Sequence, residues 1–245
     1  MTRFELVSIA TADALARAVA GAWLEEVAAA QRAGKPHCVA LSGGRITQKF
    51  FAEVVALVRE GRHAGDPNFR DGGTPPLPNV HFFWADERCV PPSDAESNFK
   101  LADELLFQPL GIAAEKIHCI CGELPPAAAA ELAVKDFSAV TAQLDLVLLG
   151  MGEDGHVASL FPGEPEAARA NLAVFRAITN SPKPPPNRVT LGYGAIAAAM
   201  QVWVLASGAG KAAALRESLS PTGQTPLARV LRARSNSKVF SDIRL

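Results

Sequence analysis

The sequence predicts an α/β protein: a doubly wound, mainly parallel sheet with helices on both faces, in one domain over residues 1–245. Three observations predict it. Short apolar runs alternate with segments, several rich in alanine, whose apolar residues recur at helical spacing. Several of those runs stop at glycine-rich or acidic turns before the next helix opens. Hydrophobic residues make up 49% of the chain, enough for the large core that such a sheet buries.

Residues 11–32 place Leu15, Val19, Ala22, Trp23 and Val27 on one helical face, with Thr11 or Asp13 as N-cap. Residues 37–41 read as a short buried strand entering Ser42-Gly43-Gly44, and a second helix covers about 47–59. The glycine- and proline-dense stretch 61–78 has no periodicity and reads as a surface excursion. Residues 80–85 form a strand apolar enough to be central, ending at Asp86-Glu87-Arg88. A helix follows over 97–107, then a weaker strand over 117–120 and an alanine-rich helix over 126–143. The strand 145–149 runs into a glycine-spaced turn carrying Asp154 and His156. Strands at 173–178, 188–191 and 201–206 come next, the first two separated by a polyproline linker at 182–186. The third enters Gly208-Ala209-Gly210-Lys211 and a helix to Leu219, and a last helix spans 226–233.

A net charge of −1 argues against a nucleic-acid or anionic-membrane partner attracted by bulk charge, so any anion is recognised locally. Cys38, Cys89, Cys119 and Cys121 lack zinc-site or disulfide spacing, which points to thiols in a reducing compartment and to no metal site. Glu5 and Asp13 interrupt the region where an export signal would need apolar residues, and no run is long enough to span a bilayer. A soluble, cytoplasmic protein is expected.

In a parallel sheet, the loops that follow the strands gather on one edge. Four of them carry unusual polar chemistry: Ser42-Gly43-Gly44 with Arg45, Asp86-Glu87-Arg88, Asp154-Gly155-His156, and Gly208 to Lys211. A glycine turn before a helix offers outward backbone N–H groups and the positive helix end, which suit a phosphate. Lys211 near a helix start opposes the dipole, and an anion would explain it. Arg88 can hold a phosphate bidentately. Of Asp86 and Glu87, one is expected to orient or act as a base and the other to be solvated. His156 can take a proton at neutral pH, oriented by Asp154. The other four histidines (His37, His63, His81 and His118) are expected to be structural or exposed. Gly150, Gly152 and Gly155 also satisfy the dinucleotide G-x-G-x-x-G pattern. No full helix follows, however, and Glu153 and Asp154 would repel a pyrophosphate, so no nicotinamide cofactor is expected.

Ser42-Gly43-Gly44, Asp86-Glu87-Arg88 with Ser97-Asn98, and above all the run from Leu149 to Gly163 resemble the 6-phosphogluconolactonase family. Arg188-Val189-Thr190-Leu191 and Gly208 to Lys211 continue the match. The resemblance implies a Rossmann-like domain shared with glucosamine-6-phosphate deaminase. It also implies cofactor-free hydrolysis of 6-phospho-D-glucono-1,5-lactone in the pentose phosphate pathway. One position departs from the family, since Gln48 follows Thr47 where a helix-opening proline is usual. On this reading the amides of Ser42, Gly43 and Gly44, with Arg88 and Lys211, hold the phosphate. His156 activates water, Asp154 orients the His156 imidazole, and Arg45, Asp86 and Arg188 complete the substrate site. The alternatives are a deaminase/isomerase and a non-catalytic sugar-phosphate-binding protein. In the deaminases the aspartate–glutamate pair precedes an aromatic residue and a glutamate supports the histidine, where this chain has Arg88 and Phe161.

Overall fold

In chain order the strands and helices are β1 (Glu5–Ser8), α1 (Ala12–Arg32), β2 (His37–Leu41), α2 (Arg45–Arg59), β3 (Val80–Trp84) and β4 (Asp86–Arg88). Then come α3 (Asn98–Ala102), α4 (Gln108–Leu110), α5 (Pro126–Val140), β5 (Leu146–Gly150), α6 (Glu166–Arg169), β6 (Phe175–Ile178) and β7 (Arg188–Leu191). The chain finishes with α7 (Tyr193–Ala198), β8 (Gln201–Ala206), α8 (Ala212–Leu219), α9 (Pro226–Ala233) and β9 (Ser237–Ser241). The structure, a computed structural model, describes residues 4–61 and 77–245, so most of the predicted excursion over 61–78 lies outside the described residues.

Six strands form one parallel sheet in the order β1-β9-β8-β5-β2-β3. Its central strands β2, β5 and β8 are buried almost end to end because helices cover both faces. Beneath α1 and α2, Trp23 packs on Phe50 and edge-on against Phe82 of β3, with ring centroids 5.7 and 6.2 Å apart. Thr11 caps α1 by accepting from the amide of Ala14, as its hydroxyl predicts. From β2 the chain steps to β3 on one side, and it later returns to β5 on the other. The divergence between β2 and β5 is the switch point at which open α/β sheets form their crevice.

A second, antiparallel sheet of β4, β7 and β6 was not foreseen. Asp86-Glu87-Arg88 is therefore no loop: after a bend at Ala85 the chain continues as β4 and pairs with β7. Two parallel edge-side strands also escaped notice, β1 because it is mostly exposed and β9 because Lys238 interrupts its apolar run. Residues 117–120 form no strand. Ile117 makes a single bridge to Phe82, and the His118 amide donates to the Phe82 carbonyl.

The helix expected over 97–107 begins as α3 but widens to a π-helical turn over Asp103–Phe107. Pro109, lacking an N–H and crowding the carbonyl four residues earlier, accounts for that wider turn. Beyond α7, the buried Arg234 guanidinium donates to the carbonyls of Ile196, Ala199 and Met200, closing the helix end without a glycine cap. Among the described residues no helix is long and apolar enough to cross a membrane.

Candidate active site

At the switch point lies a cleft of about 160 Å³. Its walls include Ser42, Gly43, Gly44, Arg45, Asp86, Arg88, His156, Arg188 and Lys211, every sequence-predicted site residue except Asp154. Asp154 stands directly behind His156.

The β2 end of the cleft is built for an anion. The Ser42 hydroxyl donates to the Leu148 carbonyl at 2.9 Å and ties β2 to β5, so Ser42 offers backbone rather than side chain. Gly44 is the N-cap of α2 at φ 107°, a conformation that side chains rarely adopt. No side chain caps that helix. Among the described residues the Gly43 and Gly44 amides have no hydrogen-bond acceptor. The missing family proline changes little here. Thr47 is buried with its hydroxyl on the Gly43 carbonyl at 3.1 Å, and Gln48 donates normally to Gly44.

Cations converge on the same cleft. Burial lowers the Lys211 pKa, the charge of Arg45 lowers it further, and Glu153 and Asp242 oppose both. On the small sheet, Arg88 and Arg188 are direct cross-strand partners. Like charges in that relation destabilise a sheet unless an anion joins them. Arg88 Nε is buried without a hydrogen-bond partner among the described residues, while its Nη1 donates to the Glu96 carbonyl. Arg188 differs from a free anion ligand. It donates to the carbonyls of Lys183, Pro184 and Pro185, each at 3.0 Å, and weakly to Ser159.

Strand alternation separates the acidic pair. Asp86 shares its face with Arg88, lines the cleft and accepts the Ser159 hydroxyl at 2.6 Å. Glu87 points the other way and is 3% exposed, not solvated as expected. It accepts the amides of Arg88, Asn98 and Phe99 and the Ser97 hydroxyl, anchoring the start of α3. Burial raises its pKa, against those donated bonds. Asn98, named in the sequence only as part of a motif, also lines the cleft and is fixed by donating to the Asp86 carbonyl at 2.8 Å.

The β5 turn delivers the titrating pair. Asp154 Oδ1 lies 2.5 Å from His156 Nδ1, which leaves Nε2 as the nitrogen available for chemistry. The ring rests against Phe161 at 4.7 Å and directly over Gly152, where any side chain would collide with it. Burial, with the charge of Lys183, lowers the His156 pKa against the raising effect of Asp154 and Asp86. For Asp154, burial pushes the carboxyl up, but the hydrogen bond and charge of His156, with Lys183 nearby, bring it below the ordinary value. The two shifts together describe a neutral imidazole beside an ionised carboxylate. Lys183, unnoticed in the sequence, has Nζ 3.4 Å from His156 Nδ1. Its position depends on the fold of the proline-rich segment, which local sequence does not reveal.

Among known proteins, the family described as glucosamine-6-phosphate isomerases/6-phosphogluconolactonase matches residues 10–240. The chain is 36% identical over 184 residues to the 6-phosphogluconolactonase of Aggregatibacter actinomycetemcomitans, covering 74% of this chain and 73% of the relative. It is 42% identical over 153 residues to a probable chloroplastic 6-phosphogluconolactonase of rice, Oryza sativa subsp. indica, covering 57% of this chain. That match spans 46% of the rice protein, under half its length. The crystal structure of a 6-phosphogluconolactonase from Shewanella baltica superimposes with a TM-score of 0.79 at 28% identity, over 97% of both chains. A monomeric glucosamine-6-phosphate deaminase reaches the same TM-score over 98% of both chains at 17% identity, a likeness of fold alone.

Proposed function

The chain belongs to the glucosamine-6-phosphate isomerase/6-phosphogluconolactonase family, and from that premise we propose that it hydrolyses 6-phospho-D-glucono-1,5-lactone to 6-phosphogluconate. The observation that carries the reading is a carboxylate-oriented imidazole, its pKa lowered by burial, in the same cleft as an uncapped helix start and four cations.

The amides of Gly43 and Gly44, the start of α2, Lys211, Arg45 and Arg88 hold the 6-phosphate, whose binding energy positions the lactone carbonyl at His156. His156 Nε2 accepts a proton from water as the water oxygen bonds to C1, and negative charge moves onto the carbonyl oxygen. The C1–ring-oxygen bond then breaks, and His156 returns the proton to the departing ring oxygen, which becomes a hydroxyl. Asp154 keeps the Nδ1 proton in place and so fixes which nitrogen acts as base. Asp86 and Asn98 shape the wall between the phosphate and the dyad.

Proton transfer by one imidazole suffices for this reaction. Deamination with isomerisation needs further proton-transfer groups, and the place of the deaminases' supporting glutamate is taken by Phe161, whose ring packs on His156. The test is turnover of enzymatically generated lactone, corrected for spontaneous opening. His156→Ala is expected to lose roughly 10²–10⁴-fold in kcat while still binding 6-phosphogluconate. A kcat near wild type removes His156 from the mechanism, and ammonia release from glucosamine 6-phosphate by the wild-type protein overturns the lactonase reading.

A further inference from the structure

Between β6 and β7 the chain forms a strap over residues 181–187, closed by the Ser181 amide donating to the Pro186 carbonyl at 3.0 Å. Pro184, Pro185 and Pro186 have no amide hydrogens and restricted φ, so the strap presents carbonyls without competing donors. Three consecutive carbonyls, of Lys183, Pro184 and Pro185, converge on the guanidinium of Arg188, which is 4% exposed. Arg188 also contacts the Ser159 hydroxyl, itself bound to Asp86, and lies over the Phe161 ring at 5.7 Å. The strap is thus fastened to the wall that supports His156. At its outer side Lys183 Nζ lies 3.4 Å from His156 Nδ1 and 3.7 Å from Asp154 Oδ1.

We propose that Lys183 is a positioning residue of the dyad: held in place by the Arg188-clamped strap, it pins the Asp154 carboxylate to Nδ1 and keeps His156 neutral and able to accept a proton. The inference rests on His156 being the base of the lactonase reading. When the ring is neutral with its proton on Nδ1, Nδ1 and Nζ are both donors, so Nδ1 donates to Asp154 Oδ1 at 2.5 Å while Nζ stands 3.7 Å from the same oxygen as its ion-pair partner. When the ring is protonated, the ammonium faces a second cation within contact distance and opposes it. The charged groups acting on the ring are Asp154 on its own turn, Lys183 on the strap and Asp86 on β4, with Arg188 across the Phe161 ring. Lys183 is the cation of this set in direct contact with the ring, and its effect on the His156 pKa is downward.

The experiment is an NMR titration of the His156 ring alongside the pH profile of kcat, in wild type, Lys183→Met, Lys183→Arg and Arg188→Gln. Lys183→Met is expected to move the His156 midpoint upward by about half a pH unit, the scale of an exposed ion pair. The acid limb of kcat should move with it, and Lys183→Arg should restore both. Arg188→Gln should shift the midpoint in the same direction, and the double variant should shift no further than Lys183→Met alone, because both changes act through one contact. A Lys183→Met midpoint within about a tenth of a unit of wild type overturns the proposal, as does full additivity in the double variant. If Arg188→Gln fails to fold, the Lys183 pair alone decides. The NMR midpoint needs no turnover, so a shifted midpoint in a protein without lactonase activity would sink the functional reading and leave this one standing.

Discussion

Replacing Gly152 with alanine tests whether catalysis depends on where the imidazole sits. A methyl at this position would lie under 3.0 Å from both Cε1 and Nδ1 of His156 and 2.7 Å from Asp154 Oδ1. Tight but tolerable contact begins near 3.4 Å, so the carboxylate has to withdraw by about 0.7 Å and the ring by more. Gly152 is not among the glycines with positive φ, so alanine fits the backbone and the effect stays local. A displacement of about 1 Å at a reacting group costs on the order of 10²-fold, or about 2.7 kcal/mol of barrier. Gly152→Ala should therefore lower kcat for the lactone by about that factor. Binding of 6-phosphogluconate by calorimetry should stay within about threefold of wild type, because the phosphate end is untouched. A variant retaining kcat within about twofold would refute the view that ring placement limits the rate.

The acid limb of kcat/KM should fall below the ordinary histidine value of 6.5, because burial holds His156 down and only its neutral form accepts the proton; a limb above 6.5 contradicts this assignment. Burial also lowers His37 and His81. As pH drops below 6.5 the unfolded chain therefore binds protons at these histidines first, which should lower the urea midpoint at about pH 5 relative to about pH 7, against the buried Glu87, whose raised pKa acts the other way. Lys211→Met should raise KM about tenfold with a smaller change in kcat; an unchanged KM removes Lys211 from phosphate binding. Arg234→Ala should cost about 2–4 kcal/mol in urea unfolding by stranding the carbonyls at the end of α7, with kinetic constants unchanged.

The central strands were legible because burial on both faces demands unbroken apolar runs, as in Val147-Leu148-Leu149. β1 is mostly exposed and Lys238 breaks the apolar run of β9, so neither left such a signature. The strands over 173–178 and 188–191 were legible, but their antiparallel sheet with β4 was not. The cleft residues were readable wherever a polar cluster followed an apolar strand, which is how Ser42 to Arg45, Asp154, His156 and Lys211 were found. Lys183 and Asn98 follow no strand of the main sheet, and their contribution arises only through contacts distant in sequence.

The sequence by itself determined the alternation of elements, the chemistry carried at the strand ends and the resemblance to the family, since these depend on local patterning. Tertiary structure alone decided what each polar group does. A two-residue strand period turned Asp86 to the cleft and Glu87 into the interior. Antiparallel pairing set Arg188 opposite Arg88, and the folded strap drew its guanidinium onto three carbonyls instead of leaving it free for an anion. Hydrogen bonds and Coulomb forces act over a few ångströms of space, and only the folded chain brings residues tens of positions apart within that range.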